Sequence, residues 1–408
     1  MDGFGFSEAF QRANVIVNLP AKQQKEVLDL LFDPQTGAGM TILRIGIGSS
    51  PDSSSDHMNS IAPKSPGSPS AAPNYIWDGK DSGQLFVAKQ AYTYGVRTFY
   101  ANAWSAPGYM KTNNNENNGG YLCGVSGHGC SSGDWKQAYA NYLVQYVNAS
   151  YASMLSSGTQ AADFIKVLSP TIKAANLSTG INCCDSEGWS NQASMTSQIR
   201  SAGAESLLSV ITSHPYTSSP GNPLSTTRRV WQTENADLNG AWQTAFYSSG
   251  GAGEGMRWAS LIHTAVVNAN CSAYLYWIGL QTGNTNSKLI SVSGTTYSVS
   301  KRLWAFGQFA RSAKPGSVRV GTSGGGNGLQ MSAYLNTDGT LAMVVINTGA
   351  SAASLSISTN GDFAATKVTA WLTDNTHDMS TTTASISSAG VVTGSVPGRA
   401  MVSFVLEK

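Results

Sequence analysis

What most constrains this chain is an alternation that runs from its first residues to about residue 312, in which apolar, β-branched runs take turns with stretches of helical period. Strand patterns fall around Gly3 to Phe6 and then in TILRIGIGSS, RTFYANAWSAP, TGINCCD, LLSVITSHPY, RRVWQTENA and CSAYLYWIGL. Between them lie helical patterns such as AKQQKEVLDLLF, SGQLFVAKQAYTYG, DWKQAYANYLVQYV, TQAADFIKVL and EGMRWASLIHTAVVNA. Strand, helix, strand with short connections is a parallel βαβ unit, and this many in series point to an α/β fold of the (β/α)8 TIM-barrel kind.

The alternation supplies seven strands where a closed barrel needs eight. The shortfall has an address. A helix ending near Tyr146 runs almost directly into a second one beginning near Tyr151 and ending near Leu168, with only an Asn-Ala-Ser link. Two helices in series cannot make a right-handed parallel crossover, so the fourth strand is expected to be deleted there, at residues 147 to 151. A skipped exon in gene prediction would leave the same break, and an open or differently closed barrel is the alternative.

From about residue 313 the texture changes to short alternating segments (SVRVGTS, LQMSAYLN, LAMVVINTG, SLSISTN, KVTAWLTD, GRAMVSFVLEK) separated by Gly, Asn and Asp turns. That is the pattern of an antiparallel β-sandwich. The division is read as a barrel over 1–312 and a sandwich side domain over 313–408, joined by a helix in SKRLWAFGQFARSAKPG that stops at Pro315. The glycines from Gly321 to Gly328 form a loop or hairpin; no Gly-Lys-Ser/Thr follows to make a phosphate cradle.

Charged residues make up 12% of the chain and the net charge is +2. Neither a nucleic-acid backbone nor a membrane surface is the expected partner, since both call for a clustered basic face. No apolar run reaches the length of a membrane span. The abundance of Gly, Ser, Thr and Asn leans toward an extracellular protein acting on a neutral polymer, although no secretory leader precedes DGFGFSEAF, and a monomer is expected. Sequons at Asn148, Asn176 and Asn270 are compatible with a secreted glycoprotein. Cys123 and Cys130 flank a Gly/Ser-rich stretch and suit a loop-closing disulfide; one of Cys183 and Cys184 could reach Cys271, and five buried thiols are the alternative. Neither a metal site nor a cofactor is indicated, because no Cys or His spacing resembles a ligand set.

In a barrel the reactive groups project from the C-terminal ends of the strands. Glu234 ends the strand in VWQTENADLNGAW and enters a polar loop. Such a glutamate is either a solvated cap or salt-bridge partner, or one of the two carboxylates that glycoside hydrolysis needs. Trp104 and Tyr109 after the third strand, and Trp277 on the last, offer flat faces to pyranose rings or else are core. Arg44 on the second strand is placed to orient a carboxylate. His214 and Tyr216 follow the next-but-one strand before the last and would reach Glu234 or a sugar hydroxyl, His214 being equally readable as a core histidine. The stretch from Ser49 to Trp77 is a long loop with Asn59 and Trp77 as wall residues. Glu116, inside NNNENN, reads as a solvated loop charge.

Together, DGFGFSEAF, SAPGYMKTN, WQTENADLNGAW and YLYW resemble glycoside hydrolase family 30, especially its fungal xylan-acting branch, over nearly the whole chain. The resemblance implies a retaining hydrolase of plant cell-wall polysaccharide, most closely β-1,4-xylan or glucuronoxylan, with Glu234 as nucleophile supported by Arg44. It also implies that Arg12, otherwise an ordinary helix-start arginine, faces the acidic side group of xylan. In the family the acid/base is the Glu of an Asn-Glu-Pro motif ending the fourth strand, and this chain contains no such motif. Absent strand and absent motif are one segment, so impaired activity is expected. Asp185 is the weak substitute for the lost acid, with Glu187 beside it. Two other readings remain: a catalytically inactive relative that binds polysaccharide through its aromatic cleft, and a hydrolase of the β-1,6-galactanase or glucosylceramidase type. A β-1,6-glucan is a further substrate known in the family.

Overall fold

The computed structural model describes residues 1–52, 57–146, 156–326, 328–360 and 363–408. Its first sheet holds parallel strands β1 (Gly3–Ser7), β2 (Ile42–Ile47), β3 (Thr98–Ala103), β4 (Asn182–Ser186), β5 (Val210–Ser213), β6 (Arg229–Gln232) and β7 (Ala273–Thr282). They lie in the order β3-β2-β1-β7-β6-β5-β4, each parallel to its neighbours. A closed barrel would need a strand between β3 and β4. Among the described residues nothing pairs there, so the sheet is an open TIM-barrel-like layer with seven of eight staves.

Helices α1 (Ala13–Val17), α2 (Ala21–Phe32), α3 (Gln84–Thr93), α4 (Lys136–Tyr146), α5 (Gly158–Ala174), α6 (Trp189–Ser201), α7 (Gly255–Val267) and α8 (Lys301–Ser312) intervene in chain order. The packing follows from periodicity. Val27, Leu28, Leu31 and Phe32 bury one stripe of α2, where Phe32 meets Phe6 of β1 at 5.3 Å between ring centroids. Phe4 and Phe6 point to the helices, while the intervening residue must be glycine: a Cβ on Gly5 would stand 1.9 Å from the Ile42 carbonyl oxygen. Inside the sheet, Ile42, Tyr100, Val210, Trp231, Ala273 and Leu275 form a separate apolar cluster. Those two layers are the barrel's core.

After β7 the chain adds a hairpin, β8 (Lys288–Ser293) and β9 (Thr296–Val299), which extends the sheet beside β7. Then come β10 (Val318–Val320), β11 (Leu329–Leu335), β12 (Leu341–Asn347), β13 (Ala353–Ile357), β14 (Lys367–Thr373), β15 (Ser380–Thr382), β16 (Ala384–Ile386), β17 (Val392–Val396) and β18 (Ala400–Glu407). They form two packed antiparallel layers, ordered β10-β11-β12-β18-β14-β15 and β13-β17-β16. Helix α8 is buried between barrel and sandwich. Its Gln308 donates to the Trp371 carbonyl and to Thr373 Oγ1, and Arg311 lies over the Trp371 ring.

Several expectations need correcting. Helix α5 begins at Gly158, not near Tyr151, because Ser157 caps it in a reciprocal capping box with Gln160. It also runs past Leu168, through Pro170, to Ala174. The Asn-Ala-Ser link, with Asn148, lies outside the described residues. Cys271 does not reach either neighbouring cysteine: Cys183 and Cys184 are bonded to each other, and Cys271 is a buried free thiol. Cys123 and Cys130 form the expected loop disulfide. Neither α6 nor the β8–β9 hairpin was foreseen; the apolar positions of α6 are sparse and separated by Ser, Gln and Asn.

Candidate active site

The second, third, fourth and sixth strands bring their C-terminal ends to one place. Arg44 is the centre, with its side chain 0% exposed. One guanidinium nitrogen donates to Glu234 Oε2 and another stands 3.5 Å from Asp185 Oδ2. Nε donates to Asn102 Oδ1 at 3.1 Å, and Nη2 reaches the same oxygen. This planar fork hydrogen-bonds two acceptors at fixed angles and holds Asp185 by charge, which a lysine could not do.

Glu234 follows β6 directly, and its backbone N–H donates to Gln232 Oε1 at 2.8 Å, fixing the strand's exit. Its other carboxylate oxygen accepts from the Tyr216 hydroxyl at 3.1 Å. His214 Nδ1 stands 3.9 Å from that oxygen, beyond hydrogen-bond reach. The Glu234 side chain keeps 10% of its surface, so one edge remains open to solvent.

Above the arginine lies an aromatic roof. Trp104 covers the guanidinium at 4.4 Å and Trp277 approaches it at 5.7 Å; both rings are half-buried. Phe10, left-handed at φ 56°, inserts its ring edge against both, 4.7 Å from Trp104 and 5.9 Å from Trp277. A cavity of about 240 Å³ adjoins Trp104, lined by Phe10, His57, Ser105 and Glu116 among others. Flat faces beside hydroxyl, amide and carboxylate groups suit a pyranose, which presents C–H groups on its faces and hydroxyls at its rim.

Asp185 does not support the reading as a substitute acid. Its side chain is 0% exposed and accepts from Tyr100 and from Thr233 Oγ1, the latter at 2.6 Å, while its backbone N–H donates to Thr212 Oγ1. Burial alone would raise its pKa, but His214 (Nε2 at 3.7 Å from Oδ1), Arg44 and Thr233 together hold it well below the usual carboxylate range. A carboxyl so held has no proton to give. Burial pushes the phenols of Tyr216 and Tyr100 upward, and the adjacent carboxylates add to this, so both remain donors.

Arg44, His214, Tyr216, Glu234, Trp104, Trp277 and Asp185 therefore converge. Others do not join them. Tyr109 donates to the Ala62 carbonyl at 3.0 Å and packs edge-on against Trp135, so it pins the long loop rather than facing Glu234. Asn59 sits in a bridge with Ser50 inside that loop. Trp77 is 55% exposed and touches Tyr146 at the end of α4. Arg12 Nη1 donates to the Phe10 carbonyl at 3.0 Å, propping the strained turn that aims Phe10. Glu187 is exposed. Glu116 is not a solvated loop charge: its side chain is 16% exposed and faces His57 Nδ1 at 3.9 Å. Tyr100, Asn102, Thr233 and Phe10 are additions. Two of them had a signal, since Tyr100, Asn102 and Trp104 alternate along β3 and so share its inner face.

A half-open barrel with an arginine-bound carboxylate under tryptophans at its strand ends, joined to a β-sandwich, defines a glycosidase. Comparison with known proteins narrows the class. Residues 1–311 match the family model of glycosyl hydrolase family 59, and residues 316–404 match the glycosyl hydrolase family 30 beta sandwich domain. The catalytic domain of GH30 xylanase C from Talaromyces cellulolyticus is 45% identical, with a TM-score of 0.94 over 100% of this chain and 97% of that one. The chain thus belongs to glycosyl hydrolase family 59 by its barrel model, and to the family 30 hydrolases by its sandwich and by this full-length likeness. The motifs resembled family 30 alone, so the barrel's family 59 match is an addition. An endo-1,6-β-D-glucanase of Aspergillus fumigatus is 24% identical over 85% of this chain and 78% of its own length. Another, from Trichoderma harzianum, is 24% identical over 91% and 83%. A family 30 subfamily 8 xylanase of Clostridium acetobutylicum, 22% identical with a TM-score of 0.74 over 100% of this chain and 96% of that one, shares the fold.

Proposed function

We propose that this chain is a retaining hydrolase of plant cell-wall β-glycan, with xylan as its polymer, Glu234 as nucleophile and no positioned general acid among its described residues. The observation that carries this reading is the grip of Arg44 and Tyr216 on Glu234 beneath Trp104 and Trp277. Arg44 holds Oε2 and the Tyr216 hydroxyl orients Oε1, the oxygen that attacks an anomeric carbon. The attack forms a glycosyl ester as the glycosidic C–O bond breaks, and water then hydrolyses the ester. The departing oxygen needs a proton unless it leaves readily as an anion, and Asp185 does not supply one.

Dependence on the leaving group follows. An aryl xylobioside with a dinitrophenolate leaving group needs no acid and is expected to be cleaved, while xylan is cut about 10²–10⁴-fold more slowly than by an enzyme with a placed acid. The deciding experiment is incubation with a dinitrophenyl 2-deoxy-2-fluoro-xylobioside, followed by intact-mass and peptide analysis. A stable adduct on Glu234 supports catalysis. No adduct, together with saturable oligosaccharide binding, would establish a binding-only relative.

Xylan is favoured by the likeness to xylanase C, which extends over the whole chain. A β-1,6-glucan is the second reading, favoured by the names of both curated relatives; trapping by a fluoro-gentiobioside in preference to the xylobioside would select it. We place the protein outside the cell. Two disulfides suit an oxidising compartment, and the sequon residues Asn176 and Asn270 are both exposed.

A further inference from the structure

We propose that Asn270 carries an N-linked glycan whose N-acetylglucosamine core seats in the cavity beside it, at the joint between barrel and sandwich. The proposal rests on the extracellular placing of the chain and not on the reading of Glu234.

The acceptor is built into a helix end. Asn270 adopts φ 55°, a left-handed conformation that asparagine tolerates better than most residues. The Cys271 N–H reaches back to the Ala265 carbonyl at 3.0 Å and so closes α7 in the manner of a Schellman turn. Asn270 is exposed, and its side-chain amide makes no hydrogen bond among the described residues. Ser272 completes the Asn-Cys-Ser acceptor triplet. In the folded chain the Ser272 hydroxyl donates to Asp2 Oδ2 at 2.6 Å, so glycosyl transfer precedes folding of this corner. The donor is an oligosaccharyl polyprenyl diphosphate. Asn270 Nδ2 attacks its anomeric carbon; a C–N bond forms, the C–O bond to the departing diphosphate breaks, and the amide gives up a proton.

The seat adjoins the acceptor. A cavity of about 510 Å³, within the roughly 300–1,000 Å³ of small-ligand sites, is lined by Asn270 itself and by Pro223, Leu224, Arg228, Val318 and Arg319 among others. Barrel and sandwich both contribute: the segments around Arg228 and Asn270 belong to the barrel, and Val318 and Arg319 to β10. Among the described residues β10 pairs with β11 alone, so it is an edge strand. Its Val318 is 63% exposed, apolar surface that the C–H face of a sugar would cover. Arg229 is paired with Asp2, whereas Arg228 and Arg319 have no carboxylate partner among the described residues. Their guanidinium groups are donors only and suit the carbonyl and hydroxyl acceptors of an N-acetylated sugar. The tether selects the occupant, because a glycan rooted at the rim meets this cavity at high effective concentration. Asn176 supplies the contrast. It is exposed and left-handed (φ 54°) just past the end of α5, yet lines neither this cavity nor the one beside Trp104.

The test uses the full chain secreted from a yeast host, with occupancy at each sequon read by glycopeptide mass spectrometry. Trimming by an endoglycosidase that cuts within the N-acetylglucosamine core is timed in the folded and the urea-unfolded chain. Asn270 is expected to be occupied and to be trimmed about tenfold or more slowly in the folded chain than in the unfolded one. The double variant Arg228→Ala, Val318→Glu should abolish that difference at Asn270 and change nothing at Asn176. Equal trimming of Asn270 in both states, or protection that survives the double variant, would overturn the seat. A bare Asn270 beside an occupied Asn176 would overturn the glycan site and leave the extracellular placing intact. Bare asparagines at both would overturn that placing as well.

Discussion

Replacing Arg44 by methionine is the most informative single change in the barrel, since it preserves much of the side chain's length and removes only the charged fork. Arg44 and Asp185 have side chains 0% exposed, and Glu234 keeps 10%, so these are interior charges and not rim charges. Exposed pairs contribute about 0–1 kcal/mol, whereas removing one partner of a buried pair costs roughly 3–5 kcal/mol because the other charge is left uncompensated. Two carboxylates would be stranded here, along with Asn102 Oδ1, so a loss of about 4 kcal/mol is expected at pH 7. Arg44→Lys keeps the charge but not the fork and should lose about half as much, on the order of 2 kcal/mol. Urea unfolding followed by tryptophan fluorescence would measure both.

The pH dependence of that loss carries its own sign. In the wild type the folded-state pKa of Asp185 lies below its unfolded value, so its contribution is fully present above the unfolded value and fades only as pH falls through the folded one. Between pH 7 and 4.5 the wild type gains or loses little from this group. Without Arg44 the buried Asp185 titrates upward, and protonation on acidification relieves the stranded charge. The Arg44→Met deficit should therefore shrink from pH 7 to pH 4.5. A deficit below about 1 kcal/mol, or one of equal size at both pH values, would refute the picture of a buried charge cluster.

Other predictions follow from the same geometry. Tyr216→Phe deletes a hydrogen bond to a charged group, of about 1.5–3 kcal/mol, so the urea midpoint should fall and, with Oε1 no longer oriented, the rate of fluorosugar trapping should fall roughly 10- to 100-fold. Asp81 accepts from Gln84 Nε2 and from the Tyr146 hydroxyl, and burial above all raises its pKa to about 6. Because the folded value exceeds the unfolded one, stability should be lost as pH rises from 4 to 7, by up to about 2 kcal/mol, and Asp81→Asn should flatten that slope. Changing Cys123 and Cys130 together to alanine opens a short loop and should cost about 2–3 kcal/mol, read as a lower unfolding midpoint.

The layered architecture was legible because the strands of a parallel sheet covered by helices read as apolar runs, and α2 and α7 carry clear one-sided stripes. The break in alternation after Tyr146 located the open edge for the same reason. Within the site, Glu234 and Trp104 were singled out because each follows a strand, and Arg44 and Trp277 because each lies on one. Tyr100 and Asn102 were overlooked, although Arg44 pairs with Tyr100 and Gly46 with Asn102 in register. Inside an apolar run they looked like packing. The state of Asp185 was illegible, since it depends on Arg44, Thr233 and His214, which stand far from it or on other strands. Glu116 was misread because an Asn-rich stretch gives no sign that it folds back over His57. Helix α6 escaped because too few of its residues are apolar to mark a face.

The lone thiol of Cys271 has a practical use. It is 2% exposed at the start of the last barrel strand, while the other four cysteines are tied up in pairs. A small alkylating reagent can reach this sulfur only when the floor of the stave assembly parts. The rate of its modification is therefore a built-in clock for breathing of the incomplete cylinder, readable by mass alone and without any engineered probe.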